Sequence, residues 1–243
     1  MSHTSIIDTD LINRICFLSR DEFEEMYKTR PFIITNGAKD WPAIKSWNPN
    51  TIHNKLPKQK HEITVFTQDK IPKKSFIKLD AKEIFKRINT IDPLYKYYFA
   101  PEITQITFPD LFADIVYPSW ISQQNVKEMN FWFSQQYNQT ILHFDLLDNF
   151  LVQIYGKKKI RLFSPDDSSY LYPTITTAYD KPRLSKICNL DDVDFDKFPD
   201  FIHAHCYEGI IMPSDIIYIP AGWWHEVQSL DISLSVNFFW QND

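Results

Sequence analysis

The chain has 243 residues, 44% of them apolar and 16% aromatic, so a large core is available and extended disorder is excluded. A formal net charge of −5 excludes a generally basic nucleic-acid-binding surface, though not a local patch. Cys16, Cys188 and Cys206 are widely separated and form no CxxC pair. No apolar run nears the roughly 18 residues of a membrane span, and the N-terminus has neither signal- nor transit-peptide character. These features point to a reducing compartment, the cytoplasm, and away from membranes.

In chain order, Ser19-Arg20-Asp21-Glu22 is a capping box, and Phe23, Met26 and Tyr27 continue it at helical spacing until Pro31. Phe32 to Thr35 reads as a strand, Asn36-Gly37 as a turn, and Trp41-Pro42 and Trp47 as anchors of the next loop. Glu62 to Thr67 alternates as a strand. Asp80 to Glu83 is a second capping box, opening a helix to about Ile88. Tyr95 to Phe99 reads as a strand, and Thr107-Phe108-Pro109-Asp110 as a third helix start leading to Ala113–Val116.

From there the pattern is nearly all β. Strands are predicted at 130–134, 140–145, 149–155, 159–163, 204–211, 215–219, 226–229 and 232–239. Eight short strands with tight turns predict a mainly β barrel or jelly roll. The connection 164–203 is long enough to need structure of its own, with short helices expected at Asp166 to Tyr170 and Asp194 to Phe198. The whole chain, 1–243, is read as one domain: a mixed α/β part over 1–125 packs its helices on a catalytic barrel over 126–243.

The chemistry concentrates in TILHFDLLDNFLVQIYGKKKIRLF, residues 140–163. Alternate side chains of a strand share a face, so His143 and Asp145 project together. They make two thirds of the 2-His-1-carboxylate facial triad that suits Fe(II) and leaves positions open. His225 in IPAGWWHEV, at an expected turn, is the candidate third ligand; a hydrogen-bonded core histidine is the alternative. A rival pair, His203-x-His205, shares a strand face but lacks a carboxylate at matching spacing. Trp223, Trp224 and Trp240 read as core packing, one of them a candidate apolar wall beside the metal. Residues 55–87 hold ten Lys or Arg against four acids, either a solvated face or a docking surface for RNA or an acidic partner.

Three segments carry a family resemblance: HFDLLDNFLVQIYGKKKIRLFSPDDSSYLYP from His143, VDFDKFPDF at 193–201, and YEGIIMPSDIIYIPAGWWHEVQSLDISLSVNFFW at 207–240. They resemble the JmjC family of Fe(II)- and 2-oxoglutarate-dependent oxygenases. The likeness is greatest to its small hydroxylase branch, whose members act on protein asparagine or on wybutosine in tRNA. RPFIITNGAKDWPAIKSW at 30–47 resembles the family's opening strand and loop.

The resemblance implies a double-stranded β-helix, a cupin-like jelly roll. It implies iron on His143, Asp145 and His225, and dioxygen as oxidant. It places the far carboxylate of 2-oxoglutarate on Lys158, the middle of Lys157-Lys158-Lys159. Thr140 and Tyr98 resemble hydroxyl donors to that carboxylate, with Tyr97 beside Tyr98 leaving the choice open; Asn149 and Asn237 resemble polar groups lining the pocket. The implied reaction is hydroxylation of a protein or peptide side chain, favoured by the overall acidic charge. A modified tRNA nucleoside is the alternative, favoured by 55–87. Lysine demethylation is a third reading, lacking a reader domain or zinc framework to support it, and a metal-binding cupin without oxygenase activity is a fourth. The chain stops three residues after Trp240, without the C-terminal helices that dimerise the related hydroxylases, so a monomer is expected.

Overall fold

Period-two patterning is sharpest in β9, Asp148–Tyr155. Phe150, Val152 and Ile154 pack into one core and Leu151 into another, as alternation requires. The computed structural model describes residues 7–68, 73–174 and 183–241. In it β9 is central to a nine-stranded sheet. Its order is β2 (Arg14–Ile15), β3 (Phe32–Ile34), β13 (Ile216–Ile219), β9, β15 (Ser233–Trp240), β7 (Val126–Ser134), β6 (Tyr95–Phe99), β4 (His61–Thr67) and β5 (Lys74–Leu79). A six-stranded sheet runs β1 (Thr9–Leu11), β12 (Cys206–Ile211), β10 (Lys158–Phe163), β14 (Trp224–Ser229), β8 (His143–Phe144) and β11 (Arg183–Leu184). The pairings are antiparallel except β1 with β12 and β2 with β3. The strands β7, β9, β13 and β15 lie in the larger sheet and β8, β10, β12 and β14 in the smaller, so the chain winds between two layers. This is the predicted jelly roll, a double-stranded β-helix.

Three apolar clusters follow from the alternation. Ile33, Leu151 and Ile217 of the larger sheet meet Ile160, Leu162 and Ile211 of the smaller one between the layers. Phe131, Phe133, Phe150, Val236 and Phe238 face out of the larger sheet and are covered by Phe23, Trp41 and Ala43 from the N-terminal part. On the back of the smaller sheet, Phe163, Cys206 and Trp224 are covered by Leu171, Ile187, Phe198 and Phe201 from the long β10–β12 connection. Trp224 and Trp240 are therefore core residues. No helix among the described residues is long and apolar enough to cross a membrane.

The Ser19 capping box is complete: Glu22 N donates to Ser19 Oγ at 3.2 Å and Ser19 N to Glu22 Oε2 at 2.8 Å. The helix Arg20–Glu22 then continues as a π-helical turn over Phe23–Tyr27. The Asp80 box is half used. Asp80 caps the helix Ala81–Asn89 through Glu83 N, while the Glu83 carboxylate pairs with Arg87 at 2.8 Å. The third helix starts as expected but is short, Pro109–Phe112, because the i−4 bond of Ala113 N to Pro109 O gives way to i−3 turns at Asp114 and Ile115.

Other expectations need correction. The strand expected over 140–145 shrinks to β8, since Thr140 N bonds to Val227 O and Leu142 O accepts from Ser185 N outside a regular ladder. The helix expected over Asp194 to Phe198 is a turn closed by Phe198 N on Asp194 O; the 3-10 helix follows at Pro199–His203, where proline suits a first position. β14 starts at Trp224, which puts His225 inside a strand rather than at a turn.

Gly156 turns β9 into β10 at φ +71°, and a Cβ there would lie 2.3 Å from Ile232 O. Left-handed backbone and a backbone clash add up, so Gly156→Ala should cost about 3 kcal/mol. A chemical-denaturation series should show the midpoint falling with the slope unchanged.

Candidate metal centre and substrate cleft

β14 lies between β10 and β8, and its register sets the site. His225 pairs directly with His143 on β8 and with Leu162 on β10. Directly opposed residues share a face, so the two imidazoles meet, with ring centroids 4.2 Å apart. Asp145, just past β8, brings Oδ2 to 3.5 Å from His225 Nε2. One ligand atom from each of His143, Asp145 and His225 lies within 4.8 Å of the others. His143 Nδ1 faces Ile141 O at 2.7 Å and His225 Nδ1 faces Trp223 O at 3.1 Å. A carbonyl only accepts, so both Nδ1 atoms carry the proton and both Nε2 lone pairs are free. Burial, then the neighbouring His225, holds the His143 ring below the ordinary histidine range, against Asp145, so it is neutral at physiological pH. Two imidazoles and a carboxylate are a donor set that fits Fe(II).

Lys158 enters from β10 and crosses to the opposite sheet, where Nζ donates to Ser235 Oγ at 2.7 Å. It is 2% exposed, and burial pulls its ammonium down to about 7. Among the described residues no carboxylate pairs with it. A buried amine with one hydroxyl partner is suited to an anionic guest. On the same interlayer face, Asn237 Nδ2 donates to Asn149 Oδ1 at 3.0 Å and Asn237 Oδ1 accepts from Trp132 Nε1 at 2.8 Å. Trp132 stacks on Tyr98 with centroids 5.4 Å apart. Burial raises the Tyr98 hydroxyl, so it stays protonated and able to donate. Thr140 Oγ1 accepts from Val227 N at 2.9 Å, which leaves its own hydrogen to give.

These groups divide between two places. Tyr98, Thr140, Trp132 and His143 line a cleft of about 1260 Å³. Lys158, Asn149 and Asn237 are buried and do not line it. The cleft floor is the extension β6–β4–β5 of the larger sheet, and the segment 184–198 forms the facing wall. Six lysines line it (60, 74, 78, 96, 186 and 197) against Glu62, Asp192 and Asp194. Three of those lysines come from the 55–87 stretch. Elsewhere in that stretch Lys55 is taken up by Asp114 at 2.7 Å and Arg87 by Glu83. On β5, Lys74, Phe76 and Lys78 alternate onto one face, and Phe76 is 55% exposed with Lys74 Nζ 5.0 Å from its ring centre.

Two arrangements were not legible beforehand. Behind His225, on the other face of β14, Glu226 is paired with Arg161 and Gln139. His203 and His205 do not converge on a common point. His203 packs on Tyr170, whereas His205 faces Asp8 Oδ2 at 3.0 Å and Asp10 Oδ2 at 3.1 Å. The carboxylates beside His205 come from β1 and the residue before it, some 195 residues away in sequence, which no local spacing could reveal.

The cupin-like domain model matches residues 20–243. Mus musculus tRNA wybutosine-synthesizing protein 5 is 28% identical over 253 residues, covering 95% of this chain and 78% of that protein. Xenopus tropicalis lysine-specific demethylase 8 is 29% identical over 238 residues, covering 91% of this chain and 51% of its own, so the chain spans about half of that relative. The solved structure of E. coli ycfD matches with a TM-score of 0.59 at 15% identity, over 94% of this chain and 54% of that one, a likeness of fold alone. A double-stranded β-helix with His143, Asp145 and His225 gathered at its open side and a family match over nearly its whole length lead to one conclusion: the chain belongs to the cupin-like, JmjC-type oxygenase family.

Proposed function

We propose that the chain is an Fe(II)- and 2-oxoglutarate-dependent hydroxylase of a polymeric substrate. The observation that carries this is the convergence of His143, Asp145 and His225, with His143 lining the cleft and the Lys158 amine buried with a hydroxyl partner alone among the described residues. His143 and His225 would hold iron through Nε2, and Asp145 through its carboxylate. Lys158 would take the far carboxylate of 2-oxoglutarate, with the Thr140 and Tyr98 hydroxyls donating alongside. Asn149 and Asn237 would line that pocket, Asn237 holding Trp132 and Asn149 holding Asn237. When bound, iron, 2-oxoglutarate and dioxygen supply the oxidising power that turns a C–H bond into C–OH, with succinate and carbon dioxide as co-products. The protein's share is orientation and dryness: the stacked Tyr98 and Trp132 shield one side of the site, and the cleft presents the C–H bond.

The cleft is larger than the roughly 300–1,000 Å³ typical of small-molecule sites, which favours a segment of a polymer. Of the two polymer classes, protein side chain and tRNA nucleoside, its charge favours the second. The chain is net −5, yet its cleft holds six lysines against three carboxylates, and Phe76 lies between two of them. Ammonium groups along a backbone track with an aromatic face between them suit an unpaired nucleic-acid strand. The overall charge, which pointed to protein, is outweighed by its distribution.

Three measurements test this reading. Anaerobic titration with Fe(II) and 2-oxoglutarate should develop the visible charge-transfer band of a chelated keto acid, and His143→Ala should lose it. Iron binding without that band would leave a metal-binding cupin. The second test uses pH. Lys158 is charged below about 7 and neutral above it in the free protein, so binding a dicarboxylate above that pH requires proton uptake. The apparent Kd for 2-oxoglutarate should therefore weaken by up to about tenfold from pH 7 to pH 8, and Lys158→Met should bind poorly without that slope. Third, fluorescence anisotropy with a labelled unstructured RNA should give tight, salt-sensitive binding. The double variant Lys74→Glu, Lys78→Glu should flatten the log–log salt slope by at least about 1.4, at about 0.7 for each phosphate no longer neutralised. An acidic peptide that binds where the RNA does not would return the substrate to the protein class.

A further inference from the structure

β8 is two residues long, and a single residue pair, His143 with His225, joins it to β14. A ladder this short leaves the rest of the spacing to the irregular approach, which the Tyr137, Asn138 and Thr140 backbones tie to Ser229 and Val227 of β14. The reinforcement sits on the opposite face of β14. Successive strand residues point to opposite sides, so with His225 facing His143 and Asp145, Glu226 faces back. Glu226 is 1% exposed, and both its oxygens are engaged. Oε2 accepts from Arg161 Nε at 2.7 Å, with Arg161 Nη2 2.6 Å away as a poorly aligned ion-pair contact. Oε1 accepts from the Gln139 side-chain amide.

Gln139 lies in the irregular stretch that leads into His143, and its backbone forms an isolated bridge with Gln228 of β14. Arg161 is the residue of β10 directly opposite Glu226. Its other arm reaches Asp191 at 2.8 Å, in the segment that walls the cleft. Three segments therefore meet at one carboxylate–guanidinium pair: the approach to His143, the strand of His225 and the substrate wall. Burying such a pair commonly does no better for stability than apolar residues would, so its contribution here is to geometry.

We infer that Gln139, Glu226 and Arg161 form a brace that sets the spacing of His143 and His225, and that through Asp191 the same brace holds the cleft wall. This rests on the metal-centre reading above. The three are positioning residues: Glu226 sits behind β14, and the brace acts through the strands.

The test is titration of the full-length apo protein with Co(II) under anaerobic conditions, following the d–d bands and the thermal midpoint of the apo form. Gln139 is half-buried, so Gln139→Met, which keeps the length and removes the amide, folds. It should weaken Co(II) binding roughly tenfold, at the low end of the losses seen for groups that orient ligands, and alter the band pattern, with the apo midpoint little changed. Asp191→Asn should leave metal affinity and bands as in the wild type while hydrogen exchange quickens over 186–198. Affinity within about twofold of wild type and unaltered bands in Gln139→Met would overturn the brace. So would a fall in affinity matched by an equal loss of apo stability, which would make Gln139 merely structural. Failure of the wild type itself to bind Co(II) would sink the metal-centre reading, and the brace with it.

Discussion

The register of β14 between β10 and β8 is the constraint from which the site follows. With Leu162 and His143 opposite His225, the residues 158, 160 and 162 of β10 and 225, 227 and 229 of β14 face the interlayer space. A slip of one residue would reverse every side chain. A slip of β14 would take His225 away from His143 and bring the buried Glu226 into its place, and a slip of β10 would turn Lys158 out of the interlayer space. The apolar residues Ile160, Leu162 and Val227 make such a slip costly, since they share their face with the polar groups. Site and core are thus specified by the same alternation, and the chain tolerates charged groups beside the ligands because the core holds the register for them.

The second contribution is the asymmetry of the two sheets. The smaller sheet supplies the histidines and Lys158, while the larger one runs past the barrel as β6, β4 and β5. One face of that extension is buried by the N-terminal helices through Ile63, Val65, Tyr97 and Phe99. The other bears Thr64, Phe66, Phe76, Lys74, Lys78 and Tyr98 and forms the floor of the cleft. The N-terminal part, which has little chemical pattern, therefore supplies most of the cleft floor, where the proposed substrate would lie.

Much of this was readable in residue order, for identifiable reasons. The barrel strands are half-buried or fully buried, so they alternate or run apolar, and Tyr95–Phe99 was legible to the residue. The Ser19 and Asp80 caps are local hydrogen bonds, and local bonds leave local signatures. The candidate residues Tyr98, Thr140, His143 and Lys158 were named through the family resemblance, which is nearly contiguous over the last three. What escaped was decided at long range. β5 exposes nearly all its residues and so shows no apolar period. β8 is cut short by bonds from Val227 and Ser185, far along the chain. Arg161 and Glu226 carry no local sign that each lies opposite the other. The meaning of the 55–87 lysines depended on which of them alternate toward the cleft, a three-dimensional fact.

The long connection between β10 and β12 has its own apolar centre, in which Leu171, Ile187, Phe198 and Phe201 meet the barrel only through a few residues such as Phe163, Cys206 and Trp224. The cleft wall at 184–198 is part of it. That centre also takes in Leu142 and Phe144, which flank His143, and Leu184 of the wall pairs with His143 itself. A lineage built on this barrel can therefore change clients through the exposed positions of the wall, whereas its buried positions answer to the metal centre and should drift no faster than the ligands.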